Sequence, residues 1–299
     1  NSNSVPAVEL KHITKRFTKV LANDDVSFTI NKGEVVALLG ENGAGKSTIM
    51  KILYGLYHAA GGEILIEGKK TKIESSKDAV HLGISMIQQH FSLIPSHTVT
   101  ENIILGTCKG IIDYKAKEKE IQNLADRYDF NISATDYIRD LPVGAQQKVE
   151  ILKALYLNAK ILIMDEPTAV LTPQESVTLM KFVREYAVKG NSVVFITHKM
   201  KEVMEVSDRI IVMRNGRVTG ILDKNDTNEQ ELARIMVGCD LEEVKTHQME
   251  SEEVKKERLV VKGLSVERKN EVPLLSDIDF SIHEGEILGV AGVSGNGQQ

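Results

Sequence analysis

Short runs of uninterrupted apolar residues alternate along this chain with stretches in which apolar positions recur every three or four residues. Val35–Leu39, Ile161–Met164, Val193–Ile196 and Ile210–Met213 are apolar at every position. A strand that is apolar throughout is covered on both faces, so these runs predict an α/β fold with a mostly parallel sheet between helices. Polar residues follow the runs at once. Leu39 leads into a glycine-rich turn and a helix from near Gly45; Met164 is followed by Asp165 and Glu166; Ile196 is followed by Thr197 and His198. Open α/β sheets hold their ligands at the C-terminal ends of the strands, where these polar residues sit.

Between Gln89 and Asp140 the pattern changes. Lys115–Tyr128 is strongly charged, with Ile121, Leu124 and Tyr128 at helical spacing. This predicts a helical insertion at about 89–150 within a first domain over 5–240. From 241 to 258 the chain is nearly all charged or polar, which reads as a linker. After it the beginning repeats. Ser281-Ile282-His283-Glu284-Gly285-Glu286-Ile287-Leu288-Gly289-Val290-Ala291-Gly292 parallels Thr29-Ile30-Asn31-Lys32-Gly33-Glu34-Val35-Val36-Ala37-Leu38-Leu39-Gly40, and Asp277 and Phe280 match Asp25 and Phe28 at the same offset. A repeat of this length predicts a second copy of the fold. The segment 259–299 is expected to be its N-terminal stub, because the chain stops at Gln299 where the copied loop would be forming.

Composition narrows the function. The chain has 299 residues, 42% hydrophobic and 26% charged, which is ordinary for a globular protein. A formal charge of −5 argues against nucleic acid as a partner. Cys108 and Cys239 lie far apart with no paired spacing, which excludes a sequence-encoded zinc site or disulfide framework. No apolar run approaches the length needed to span a bilayer. Asn1–Pro6 is polar, lacks a starting Met and is unlike a signal peptide, so it reads as a processing remnant. The expectation is a soluble cytoplasmic protein that serves any membrane process from the surface.

Gly40-Glu41-Asn42-Gly43-Ala44-Gly45-Lys46-Ser47-Thr48 fits GxxxxGK[ST], and it lies between a predicted strand and a predicted helix, the context this phosphate-binding loop requires. Glycines let backbone N–H groups of Gly40, Asn42, Gly43, Gly45 and Thr48 turn around phosphates, and a helix N-terminus adds partial positive charge. Lys46 is expected to reach the β- and γ-phosphates of ATP, and the Ser47 hydroxyl to ligate Mg²⁺. Asp165 and Glu166 end a buried strand. Asp165 is the candidate Mg²⁺ ligand and Glu166 the group that polarises an attacking water.

With these motifs in place, the stretch between them resembles the ATP-binding subunits of ABC transporters. Leu141-Pro142-Val143-Gly144-Ala145-Gln146-Gln147 is similar to the signature LSGGQ, Asp165-Glu166-Pro167-Thr168 to the extended acidic motif, Thr197-His198 to the switch histidine, and Met86-Ile87-Gln88-Gln89-His90-Phe91 to the Q-loop segment. Phe17 sits where the family's adenine-stacking aromatic lies. The resemblance covers Val8 to about Asp240, and the segment from Leu259 resembles the start of a second ATPase domain. It implies a P-loop NTPase with an N-terminal antiparallel β subdomain and a helical insertion. It implies a helix opened by the signature, with Gln147–Asn158 of helical composition. Gly144 and Gln146 then contact ATP across a head-to-tail pair of ATPase domains. Gln89 senses Mg²⁺ or water, and His198 orients Glu166. Two integral-membrane permease subunits and a separate solute-binding protein are the implied partners, with the chain peripheral on the inner face of the membrane. Glu166–Glu175 and Gly289–Gln298 resemble the tandem ATPases of bacterial simple-sugar and nucleoside importers.

The chain departs from that pattern in three places. Pro142 replaces the signature serine and Val143 its first glycine. Thr172 stands where many members place aspartate. Gln298 and Gln299 align with Lys46 and Ser47 in the repeat. A signature faces the other domain's phosphate loop, so the altered signature belongs with the altered loop. This leads to an expectation of one catalytic and one degenerate site per longer protein. Two other classes compete: an ABC ATPase outside transport, which the absence of zinc cysteines, coiled-coil insertions and a basic face disfavours, and a regulatory module that binds ATP without turnover, which Glu166 and His198 disfavour.

Overall fold

The computed structural model describes residues 5–89, 91–107, 111–238, 256–266 and 275–291. The chain divides into two units, residues 1–241 and 242–299.

In the first unit β1 (Val8–Arg16), β2 (Leu21–Ile30), β4 (Gly61–Ile66) and β5 (Lys69–Lys70) form an antiparallel sheet in the order β2-β1-β4-β5. A second sheet has the order β10-β9-β3-β8-β7-β6, from β3 (Val35–Leu39), β6 (Ile84–Ile87), β7 (Ile161–Asp165), β8 (Ser192–Thr197), β9 (Arg209–Arg214) and β10 (Arg217–Asp223). Its pairings are parallel from β6 through to β9. Only β10 runs antiparallel, joined to β9 by a turn at Asn215–Gly216 in which both residues have positive φ. An Asn-Gly pair takes that conformation at little cost.

The all-apolar strands are buried because helices and the antiparallel sheet cover opposite faces. Leu162 and Met164 of β7, with Val193 and Phe195 of β8, pack among residues of α3 (Val99–Ile104), α4 (Tyr114–Arg127), α5 (Val143–Tyr156) and α6 (Pro173–Val188). Ile161, Ile163, Val194 and Ile196 point the other way, onto β1, β2, α1 (Lys46–Leu53) and α2 (Ser76–His81). The period-two alternation of a strand sends neighbouring residues to two cores at once. A third small cluster joins Leu39, Ile210 and Val212 to α7 (Met200–Val206) and α8 (Glu229–Val237). No helix among the described residues is long and apolar enough to cross a membrane.

The segment between β6 and β7 is helical. Its last helix, α5, is opened within the signature, beginning at Val143. Pro142 is the reason. Its φ of −63° suits a helix entrance, and its carbonyl accepts from the backbone N–H groups of Ala145 (2.9 Å) and Gln146 (3.0 Å).

The second unit contains an antiparallel hairpin, β11 (Glu257–Val266) with β12 (Leu275–His283). It reproduces much of the register of the β1–β2 hairpin. Register shifts fall between Leu10 and Ile13 in one and between Val261 and Leu264 in the other. His12 and Gly263 have positive φ, as do Asp25 and Asp277. Asp25 N donates to Thr14 Oγ1 as Asp277 N donates to Ser265 Oγ. Asn31 N donates to Glu34 Oε2 as His283 N donates to Glu286 Oε2. The linker, apart from residues 256–258, lies outside the described residues, as do Gln298 and Gln299.

Candidate functional site

The C-terminal ends of β3, β6, β7 and β8 lie side by side in the sheet, and each delivers one of the polar groups singled out in the sequence. After β3 the chain turns through Gly40–Gly45 into α1. Asn42 and Gly43 are exposed, Gly40 and Gly45 buried, and Ser47 and Thr48 half-buried in the first turn of the helix. Gly45 has φ +98°, and a Cβ there would lie 2.4 Å from Ala22 O and 2.7 Å from Asn23 Nδ2. No side chain fits, so the backbone alone lines this part of the loop. Asn23 is fully buried and holds the loop by donating Nδ2 to Gly45 O at 3.1 Å. Its motif carried no signal for this role, because a buried Asn reads like any turn residue.

Lys46 is 5% exposed, and its ammonium donates to Gly40 O (2.7 Å) and Glu41 O (2.9 Å) at the mouth of the loop. Burial lowers its pKa, while the charges of Glu166 and Asp165 push it back up. Ser47 Oγ donates to Asp165 Oδ1 at 3.1 Å. Burial raises the Asp165 pKa, opposed by the Ser47 hydrogen bond and then by Lys51 and Lys46. A hydroxyl and a carboxylate oxygen this close, in a pocket that penalises the carboxylate's charge, are an oxygen donor pair suited to a hard divalent cation such as Mg²⁺.

Two further groups converge on Glu166. Its carboxylate is 16% exposed. Oε2 accepts from Gln89 Nε2 at 3.3 Å, and Oε1 lies 3.0 Å from His198 Nδ1. Glu166 itself has φ +47°, an uncommon conformation for a residue with a Cβ. Its N–H donates to Ile196 O and its carbonyl accepts from Ala169 N, which hold the turn. Backbone strain of this kind clusters at functional sites.

The signature residues lie apart from this group, at the entrance of α5. Pro142 provides no side-chain cap. Gln146 turns its amide inward, donating to Leu141 O at 2.9 Å and Ile138 O at 3.4 Å. A Cβ on buried Gly144 would lie 1.9 Å from Glu175 Oε1. Gln147, 2% exposed, donates to Pro167 O at 2.6 Å and so ties the signature helix to the residue after Glu166. Phe17 sits at the β1–β2 turn, 39% exposed. Its ring meets Tyr57 edge-on at 5.4 Å, with Lys15 Nζ 5.1 Å from its centroid. Tyr57 was not apparent from the sequence as a companion of this ring. The structure thus brings together Lys46, Ser47, Asp165, Glu166, Gln89 and His198; Gln146 lines a cavity with Gln89, Gly144 faces Glu175, and Phe17 stands at the β1–β2 turn.

Residues 23–169 match the family model described as ABC transporter. The chain is 44% identical over 294 residues to the nucleoside import ATP-binding protein NupA of Lactococcus lactis subsp. cremoris, covering 97% of this chain and 58% of that protein. It is 45% identical over 294 residues to the guanosine import ATP-binding protein NupO of Bacillus subtilis (97% and 57%), and 44% identical over 297 residues to the ribose import ATP-binding protein RbsA 1 of Rubrobacter xylanophilus (98% and 58%). The chain therefore spans less than two thirds of the length of these relatives. Among solved structures it is similar to the ATP-binding cassette MJ1267 in its ADP conformation (TM-score 0.66, 25% identity, 78% of this chain and 95% of that one). It is also similar to a dimeric post-hydrolysis cassette, MJ0796, bound to ADP and Pi (TM-score 0.64, 27% identity, 73% and 98%).

Proposed function

This chain carries a domain of the ABC transporter family, and on that footing we propose that it binds Mg·ATP and hydrolyses it to power import of a nucleoside or simple sugar across a bacterial cytoplasmic membrane. The observation that carries the reading is the convergence of Gln89, Glu166 and His198 beside the Ser47–Asp165 pair.

Lys46 and the loop amides bind the phosphates. Ser47 and Asp165, with Gln89, hold the metal ion; when bound, Mg²⁺ offsets phosphate charge and fixes its orientation. Glu166 accepts a hydrogen bond from the attacking water and draws electron density toward its oxygen. His198 holds the Glu166 carboxylate through Nδ1, which leaves Nε2 to face the γ-phosphate. Phe17 stacks on the adenine. Gly144 and Gln146 serve the nucleotide of a second ATPase domain, in the chain's own continuation or in a second copy. The hairpin of the second unit begins that further domain, which matches the β1–β2 geometry. The longer protein then has one catalytic site at Lys46 and one degenerate site at Gln298.

The names of the relatives, import ATP-binding proteins for nucleosides and ribose, support the solute class; the partners that go with this reading are two integral-membrane permease subunits and a solute-binding protein, with the chain peripheral on the inner face of the membrane. Mg·ATP titrated by calorimetry should bind the unaltered chain and lose at least tenfold in affinity on Lys46→Ala, since a charge-assisted contact to phosphate contributes on the order of 1.5–3 kcal/mol. Equal affinity for the two chains would refute the phosphate site.

A further inference from the structure

Glu202 lies at the first turn of α7, outside every motif discussed above, and its carboxylate joins the two segments that carry Glu166 and His198. Oε1 accepts from Thr168 Oγ1 at 2.6 Å and from Lys199 Nζ at 3.0 Å; Oε2 accepts from Thr197 Oγ1 at 3.1 Å. The surrounding bonds close the cluster. Lys199 N donates to Thr197 Oγ1 at 3.0 Å, and Lys199 Nζ reaches Thr168 Oγ1 at 3.2 Å. Thr168 and Thr197 are 3% and 2% exposed, and the Glu202 side chain 14%. Both hydroxyls therefore depend on this carboxylate, since water has little access to either.

Position in the chain gives the cluster its consequence. Thr168 is two residues beyond Glu166, in the turn held by Glu166 at positive φ. Thr197 immediately precedes His198. A single carboxylate with two hydroxyl clients thus spans the gap between the two segments, and the distance it sets includes the 3.0 Å between His198 Nδ1 and Glu166 Oε1. Glu166 and His198 lie one residue past the ends of β7 and β8; the backbone bond from Glu166 N to Ile196 O at 2.9 Å joins the two segments at their base, and the Glu202 cluster ties them beyond it.

We propose that Glu202 is a positioning residue for the hydrolytic pair: it touches neither nucleotide nor water, and holds Glu166 and His198 in register by clamping Thr168 and Thr197. This rests on the ATP-hydrolysis reading above for its effect on turnover, but not for its effect on the pair itself. Glu202→Gln is near-isosteric and keeps a single acceptor oxygen. Its amide cannot serve both hydroxyls and also neutralise Lys199, so one threonine loses its partner or turns.

Two readouts test the clamp in the intact chain. The first is the imidazole nitrogen NMR spectrum of His198 without nucleotide, with Glu166→Gln as the reference for a broken pair. Glu202→Gln should move the Nδ1 resonance toward that reference, and Thr168→Val should move it the same way. The second is ATP turnover against affinity. Glu202→Gln should lower turnover on the order of tenfold, the effect of a misplaced catalytic group, with the dissociation constant for Mg·ATP within about twofold. Thr168→Val and Glu202→Gln combined should lose no more than the larger single loss, because they remove one shared bond. An Nδ1 resonance unchanged in both variants overturns the proposal, as does a parallel loss of affinity and turnover. Should the unaltered chain fail to hydrolyse ATP, the hydrolysis reading falls, and the nitrogen spectrum alone decides the clamp. Should Glu202→Gln fail to fold, Thr168→Val carries the same test.

Discussion

Glu166 shows how a carboxylate at positive φ is held by what surrounds it. Its positive φ costs on the order of 1–3 kcal/mol, and the backbone bonds to Ile196 and Ala169 offset it. Gly144 shows the opposite case, where a side chain is excluded. The missing Cβ would collide with Glu175 Oε1, and that carboxylate cannot easily yield. Its other oxygen accepts from Thr172 N and Thr172 Oγ1, both at 2.9 Å, as the capping box of α6. Gly144→Ala must break that cap, at a cost of about 1 kcal/mol or more. Urea unfolding should show the loss, and Glu175→Ala in the Gly144→Ala background should add little further loss. Two fully additive losses would mean that Gly144 is not glycine because of Glu175.

Helix α5 links three parts of the site. Its N-terminus carries the signature, Gln147 reaches Pro167, and Glu150 accepts from Ser92 N at 2.8 Å in the segment after Gln89. Glu150 is 7% exposed, and burial raises its pKa above the usual 4.5. The sign follows from proton linkage. Between the unfolded and the raised folded pKa the native state binds more protons, so unfolding free energy falls as pH rises through this window. Below pH 4.5 this destabilisation is absent; above the folded pKa it is complete. Glu150→Gln keeps an acceptor for Ser92 and removes the charge. Its melting temperature should therefore gain on that of the unaltered chain as pH is raised from 4 to 8, measured by paired thermal scans. A constant difference across that range would show that Glu150 does not titrate against folding.

For the molecule as a whole, the signature end of α5 and the turn after Glu166 are open surface. Val143 is 45% exposed and Val170 54%, beside Pro142. Adjacent exposed apolar residues of this kind fit a pairing face. Light scattering on Glu166→Gln, which should bind ATP and turn it over slowly, is expected to give the mass of two copies in Mg·ATP and of one copy with Lys46→Ala added. A mass that stays at one copy in saturating nucleotide would rule out pairing of this chain with itself.

Much of this was legible along the chain. Unbroken apolar runs announced β3, β7, β8 and β9, because a doubly covered strand has no polar face to show. The placement of Gly40–Thr48, Asp165, Glu166 and His198 at strand ends was legible because the apolar runs stop at them, and the hairpin at 257–283 because it repeats an earlier pattern. A helix opened by the segment Leu141–Gln147 was legible too, because a proline is tolerated at a helix entrance. Nothing local marked Asn23, Glu150 or Glu202. Each works by reaching a partner distant in the chain or by being sealed from water, and both properties arise when the two cores close on the sheet. Residue type and spacing specify which groups a chain can offer; packing alone decides which buried oxygen meets which donor, because that depends on distances between elements that no local pattern records.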